Sequence, residues 1–256
     1  MRYGFSKQTL WATFSCLAVA MATPAQAENA NINVRYDVDV KGMTIMKLKF
    51  SARLDGDAYA TEISGKTTGM ANWFSDYRVE MGTQGVVRNG EFLPENFSRE
   101  RRKNGKKREA TTTWVSGAPQ ISEENGGDAF QAMAGVVDAS TLDPLSMLVG
   151  LSLRGGKGPC QGNRRVFDGR DVYDVVISGG QNEDEGRISC QIKLIYVAGK
   201  EVEDAKPDAA KPDVYGVVLR PVEAASLGRV IWLPERISGR ASGQNFVAKS
   251  KDLDIQ

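Results

Sequence analysis

From Ile32 to Phe50 the chain reads INVRYDVDVKGMTIMKLKF, with apolar and polar residues alternating on both sides of Lys41-Gly42. A period of two sends successive side chains to opposite faces, so this stretch specifies two half-buried strands joined by a tight turn. Further turn signals follow at Asp55-Gly56-Asp57, Arg88-Asn89-Gly90, Lys103-Asn104-Gly105, Asp168-Gly169 and Ser178-Gly179-Gly180, with strand-like sequence between them. Hairpins following one another leave few topologies open. The chain is read as mainly β, a single antiparallel sheet meander.

One segment breaks the alternation. In LDPLSMLVGLSL, Asp143 suits an N-cap, Pro144 the first helical position, and Gly155-Gly156 the stop, which predicts one short helix near 143–153. Leu145, Leu148, Val149 and Leu151 occupy much of its circumference, the pattern of a helix packed on the sheet; a lid over a cavity is the alternative. The stretch EVEDAKPDAAKPD, residues 201–213, repeats Ala-Lys-Pro-Asp and reads as an exposed loop between two strands. No second hydrophobic pattern starts after it, so residues 28–256 are expected to form a single domain.

At the N-terminus, Arg2 and Lys7 precede an apolar stretch from Leu10 to Ala22 and the small-x-small sequence Ala25-Gln26-Ala27. That order is the form of an export signal, so residues 1–27 are read as a signal peptide cleaved after Ala27. The stretch is shorter than the roughly 18 to 20 residues that span a bilayer. Phe14 is too bulky for a lipidation box ahead of Cys16. Cleavage leaves two cysteines, Cys160 and Cys190, and an oxidising compartment makes a disulfide their expected state. The charge is close to balanced, 33 basic against 32 acidic side chains, and selects no nucleic-acid partner.

YDVDVKGMTIMKLKFSARLDGDAY near the expected mature start, then NGEFLPENFSRERRKNGKKRE, LDPLSMLVGL, PCQGNRRVFDGRDVYDV and the late WLPERI occur in one order. This series resembles the DUF3108 family of exported bacterial proteins over about residues 34–247. The resemblance implies a periplasmic protein of the Gram-negative envelope whose strands curl into an open or partial barrel. It implies no activity and no catalytic set.

The chemistry on offer is narrow because the chain has no histidine. Imidazole-based triads, imidazole zinc sites and the usual near-neutral proton shuttle are thereby excluded. In FDGRDVYD, residues 167–174, Asp168 stands where a turn aspartate belongs. Asp171 and Asp174, three apart on a strand, point to opposite faces and do not converge on a metal or substrate. NEDEG, residues 182–186, lacks the ligand spacing of a calcium loop and reads as a solvated hairpin tip. No metal and no cofactor are assigned. A histidine-free hydrolase would need convergent carboxylates or a serine with a lysine, and no such motif is present.

Two motifs carry binding hypotheses. MANWFSDY places Met70, Trp73, Phe74 and Tyr77 close together, either as core or as a soft wall for an acyl chain. RERRKNGKKR sets Arg99, Arg101, Arg102, Lys103, Lys106, Lys107 and Arg108 around an Asn-Gly turn, either as a soluble hairpin edge or as a contact for anionic membrane surfaces. The expectation is a non-enzymatic periplasmic envelope protein that binds a lipid or other hydrophobic ligand in a curved sheet. The alternative is a structural or interaction module with a protein or peptidoglycan partner. Intact mass of the exported product is predicted to give an N-terminus at Glu28; retention of residues 1–27, or an acylated Cys16, would contradict the export reading.

Overall fold

The computed structural model describes residues 29–69, 71–121, 135–153, 159–199, 212–241 and 243–256. The expected signal peptide, Met70 and most of the lysine-proline loop lie outside them, as do the side chains of Trp73 and Phe74. Among the described residues there are thirteen strands. They are β1 (Asn29–Val40), β2 (Met43–Asp55), β3 (Ala58–Thr67), β4 (Tyr77–Arg88), β5 (Glu91–Lys103), β6 (Lys106–Val115) and β7 (Ala118–Ile121), then β8 (Gly162–Phe167), β9 (Asp171–Asn182), β10 (Ile188–Gly199), β11 (Asp213–Ala224), β12 (Arg229–Ala241) and β13 (Gln244–Ile255). A single helical turn, α1 (Ala71–Phe74), joins β3 to β4, and a ten-residue helix, α2 (Pro144–Leu153), precedes β8.

The hairpin signals work as their chemistry requires. Lys41 and Gly42 adopt φ of 50° and 80°, and Asn104 and Gly105 adopt 50° and 79°, the paired positive values of turns whose twist matches that of their strands. Ser178-Gly179-Gly180 is a correction: these residues lie inside β9 and not at a turn. Cys190 pairs with Gly179 and Ser189 with Gln181, which leaves Gly180 as the extra residue of a bulge. The chain reverses farther on, at an exposed 3-10 turn, Asp184–Gly186.

All thirteen strands form one antiparallel sheet in the order β7-β6-β5-β4-β3-β2-β1-β13-β12-β11-β10-β9-β8. Two meanders therefore run outward from the pairing of β1 with β13, and the sheet curls until its edges, β7 and β8, approach each other. The result is a nearly closed barrel. Thr141 and Leu142 stitch the seam: the Trp114 indole N–H donates to the Thr141 carbonyl at 2.8 Å, and the Phe167 N–H donates to the Leu142 carbonyl at 2.8 Å. Cys160 and Cys190 form the expected disulfide, with Cα atoms 5.2 Å apart, tying the segment before β8 to β10 across β9.

Because α2 is apolar around its circumference, it lies against the inner face of the barrel and not on its surface. Val149 and Leu153 pack with Ile32, Phe50, Leu54, Tyr59, Phe92 and Ile231, while Met147 and Leu151 pack against the disulfide, Val175 and Val217. The core role expected of this helix is the one it has. Its N-terminus is held by the fully buried Asp143, whose Oδ1 accepts the N–H groups of Leu145 at 2.8 Å and Ser146 at 3.0 Å. Its Oδ2 accepts the hydroxyls of Ser146 and Thr83, the latter at 3.0 Å, and Tyr59 Oη lies 2.6 Å from Ser146 Oγ.

Burial pushes the Asp143 carboxyl up from its ordinary range, against the four hydrogen bonds that favour the ionised form. A raised folded-state value contributes stability that is fully present below the unfolded pKa of about 4 and is lost as pH rises through the folded value. Asp143→Ala removes the cap and leaves buried hydroxyl and amide groups without an acceptor, so urea denaturation should show a loss of about 2 to 4 kcal/mol. Asp143→Asn should flatten the pH dependence across the acid range. A stability loss for the alanine variant no larger than that of a surface substitution would show that α2 is not anchored here.

Candidate functional site

Strand registers place the inner-face residues in rows across the first meander. One row reads Ile32, Ala52, Thr61, Thr83, Phe97 and Thr112, and the next Val34, Phe50, Ile63, Met81, Arg99 and Ala110. Beyond these come Tyr36, Leu48, Gly65, Val79, Arg101 and Arg108, then Val38, Met46, Thr67, Tyr77, Lys103 and Lys106. Along β1 the exposure of the inward residues rises from 1% at Ile32 to 3% at Val34 and 8% at Tyr36, and Val38 and Val40 are half-buried. The helix covers one end of the inner face, and the last two rows form an open mouth.

On its seam-facing side α2 borders a cleft of about 490 Å³, lined by Ser146, Met147, Gly150 and Leu151 with Phe92 and Val175 and rimmed by Glu91, Arg164 and Arg165; elsewhere its packing is close. Two small apolar cavities, about 70 Å³ and 30 Å³, share Leu148, Ser152 and Pro234 in their linings. Both fall far below the roughly 300 Å³ of a ligand pocket. A larger depression, about 920 Å³, lies over the outer face, among Arg35, Lys49, Glu62, Glu80, Glu100 and Glu109. Its charged walls do not suit an apolar ligand.

The two motifs singled out in the sequence meet at the mouth. The Thr67 hydroxyl donates to the Ser75 carbonyl at 2.9 Å and accepts the Tyr77 N–H at 3.1 Å, which fastens the α1 connection to the end of β3. The tip of the basic hairpin docks on the same connection: the Asn104 N–H donates to the Asp76 carbonyl at 2.9 Å, and the Asp76 N–H to Asn104 Oδ1 at 3.1 Å. Of the four residues of the aromatic motif, Tyr77 is half-buried on the inner face opposite Lys103. Met70 lies outside the described residues, as do the side chains of Trp73 and Phe74, whose backbone belongs to α1.

The seven hairpin cations separate into three environments. Arg99 is a correction to the surface-contact reading: its guanidinium forms an ion pair with Asp168, and the two side chains are 12% and 20% exposed. Register aims Arg99 inward toward the β8–β9 turn, where Asp168 Oδ1 also accepts the N–H groups of Arg170 at 3.0 Å and Asp171 at 2.9 Å, as a turn aspartate does. Arg102 and Lys107 face outward and pair with Glu100 at 2.5 Å and 3.2 Å. First the Arg102 guanidinium and then the Lys107 ammonium hold the Glu100 carboxyl below its usual range. Arg101, Lys103, Lys106 and Arg108 share the inner face with the apolar rows, and no side chain of the four has a hydrogen bond or ion pair among the described residues.

Arg101 stands directly opposite Arg108 and Lys103 opposite Lys106, so the barrel mouth carries two cross-strand pairs of like charge. Sequence reasoning found the charges but missed both the Arg99–Asp168 pair and the polar anchor of α2. Asp143 was legible as a cap, whereas Thr83 reaches it, and Tyr59 reaches its neighbour Ser146, from distant strands.

Fold and site together define a nearly closed antiparallel β-barrel, plugged at one end by a helix and lined at the other by apolar and cationic side chains. The chain belongs to the family "Protein of unknown function (DUF3108)", whose model matches residues 35–184. Comparison with curated proteins gives no match. Among solved structures it is similar in fold to the crystal structure of a β-barrel-like protein of a domain of unknown function, DUF1849, from Brucella abortus. The TM-score is 0.51 at 10% identity, covering 90% of this chain and 98% of that one.

The contrast between arginines two residues apart can be measured. Arg99→Gln, which strands a partly buried carboxylate, should lower stability by about 1 to 3 kcal/mol. Arg101→Gln relieves a like-charge pair and should leave stability unchanged or raise it by up to about 1 kcal/mol. Equal losses from the two in thermal or urea unfolding would contradict the assignment of Arg99 to a structural role.

Proposed function

We propose that this chain is a non-enzymatic protein of the periplasmic envelope that holds a lipid or other hydrophobic ligand against the inner face of its barrel. The observation that carries the reading is the uncovered part of that face, where half-buried Val79, Met46 and Val38 continue the apolar rows past Leu48, which itself borders the α2 residues Leu148 and Ser152. An apolar surface inside a curved sheet, with the flexible Met46 among its residues, suits an acyl chain. The cavities of about 70 Å³ and 30 Å³ beneath α2 are too small for an acyl chain, and the seam-side cleft of about 490 Å³ is rimmed by charged Glu91, Arg164 and Arg165, so the ligand is assigned to the mouth. The signal-like order of residues 1–27 and the envelope location that the family resemblance implies support the location. The absence of histidine from the sequence argues against much acid–base catalysis.

A second reading, a partner-binding module of the envelope, draws on Ile195 and Val214, which are 44% and 42% exposed on neighbouring strands β10 and β11. Crosslinking in cells separates a specific protein partner from bulk lipid. For the leading reading, protein exported with its signal and purified without detergent should release a hydrophobic compound on solvent extraction, identified by mass spectrometry. Leu48→Gln should reduce its yield several-fold. Protein that carries no such compound and takes up no fluorescent acyl probe would overturn the proposal.

A further inference from the structure

The basic hairpin supplies acids for some of its cations and withholds them from others, and the division follows the faces of the sheet. Outward-facing Arg102 and Lys107 have Glu100 and Glu109, and Arg99 has Asp168. The inward cations Arg101, Lys103, Lys106 and Arg108 have no acid among the described residues and stand opposite one another in like-charge pairs. A merely solubilising hairpin has no reason to place its unpaired charges on the face that continues an apolar wall. Like charges directly opposite oppose strand pairing, and an anion seated between them removes that cost.

The same row shows what lies beside the charge. Tyr36, Leu48, Gly65 and Val79 lead to Arg101 and Arg108, so a molecule lying along the row meets hydrocarbon first and guanidinium last. Arg101 is half-buried, which strengthens its field relative to the exposed Lys103 and Lys106. The hydrogen bonds between Asp76 and Asn104 hold this hairpin tip beside the mouth.

We infer that the ligand of the barrel mouth is a single-chain amphiphile with an anionic head group, its head between Arg101 and Arg108 and its chain along Val79 and Leu48. This rests on the hydrophobic-ligand reading above and adds the head-group chemistry to it. Planar guanidinium forks donate to carboxylate, sulfate or phosphate oxygens in two-point contacts, and the two lysines add diffuse attraction.

The test uses the full mature chain and two probes of equal chain length, hexadecanoate and the neutral hexadecan-1-ol, each competing against a fluorescent acyl probe below its aggregation limit. Hexadecanoate should bind at least about 10-fold more tightly than the alcohol, the scale of one charge-assisted contact. Arg101→Gln with Arg108→Gln should bring the two within about 2-fold by weakening hexadecanoate alone, while Arg102→Gln with Lys107→Gln leaves the gap intact. Equal affinities of the unaltered protein for both probes would overturn the head-group assignment and leave the hydrophobic site standing, and this arm needs no variant to fold. Binding of neither probe would overturn both. If the inner double variant loses attraction to phosphatidylglycerol vesicles but keeps the hexadecanoate preference, the charges serve a membrane surface and the inference fails.

Discussion

The inner face of a curled sheet must be covered, and here one ten-residue helix does most of that work. A strand-rich chain hides its apolar alternation either against a second sheet or against an inserted element. This chain takes the second route, and α2 is apolar enough to face strands from β3 to β12 at once. A helix of that length, about 15 Å at 1.5 Å per residue, is shorter than strands of twelve or thirteen residues, which run to about 40 Å. Coverage therefore ends before the strands do. The open mouth is a geometrical consequence of a short plug in a long barrel.

What keeps the plug in place is polar. An apolar helix in an apolar lumen has many ways to slide or rotate at little cost, because hydrophobic attraction carries no direction. Asp143, Ser146, Thr83 and Tyr59 supply the direction, since each bond is made only at one register of helix on sheet. At the far wall the Cys160–Cys190 bridge fixes the surface on which Met147 and Leu151 pack. Closing a loop of 30 residues contributes about 3 to 4 kcal/mol on a chain-entropy basis.

Local chemistry made the fold legible where neighbours in sequence are neighbours in space. Lys41-Gly42 and Asn104-Gly105 signal turns because the positive φ they need is a property of two adjacent residues. The same rule misleads at Gly179-Gly180: glycines with φ of 106° and 102° serve a bulge as well as a turn, and only the pairing of Cys190 with Gly179 tells which. The site was legible in the same uneven way. Alternation along β5 shows that Arg99 and Arg101 share a face, but Arg99 meets an acid 69 residues away at the β8–β9 turn, and nothing nearby announces that contact. The meeting of the aromatic motif with the basic hairpin depends equally on two strands lying side by side, as β4 and β5 do.

The two ends of the barrel differ in how firmly they are held. Around α2 the contacts are buried and cooperative, and opening them exposes apolar core together with the Asp143 network. At the mouth the corresponding contacts are the exposed hydrogen bond from the Asp76 N–H to Asn104 and the part-buried ones of Thr67 with the α1 connection. Exposed bonds of this kind exchange with water at little net cost, whereas buried polar groups must keep their partners. Local opening is thus directed to the mouth, where the uncovered apolar rows and the unpaired cations lie, while the plugged end holds the registers that aim them inward.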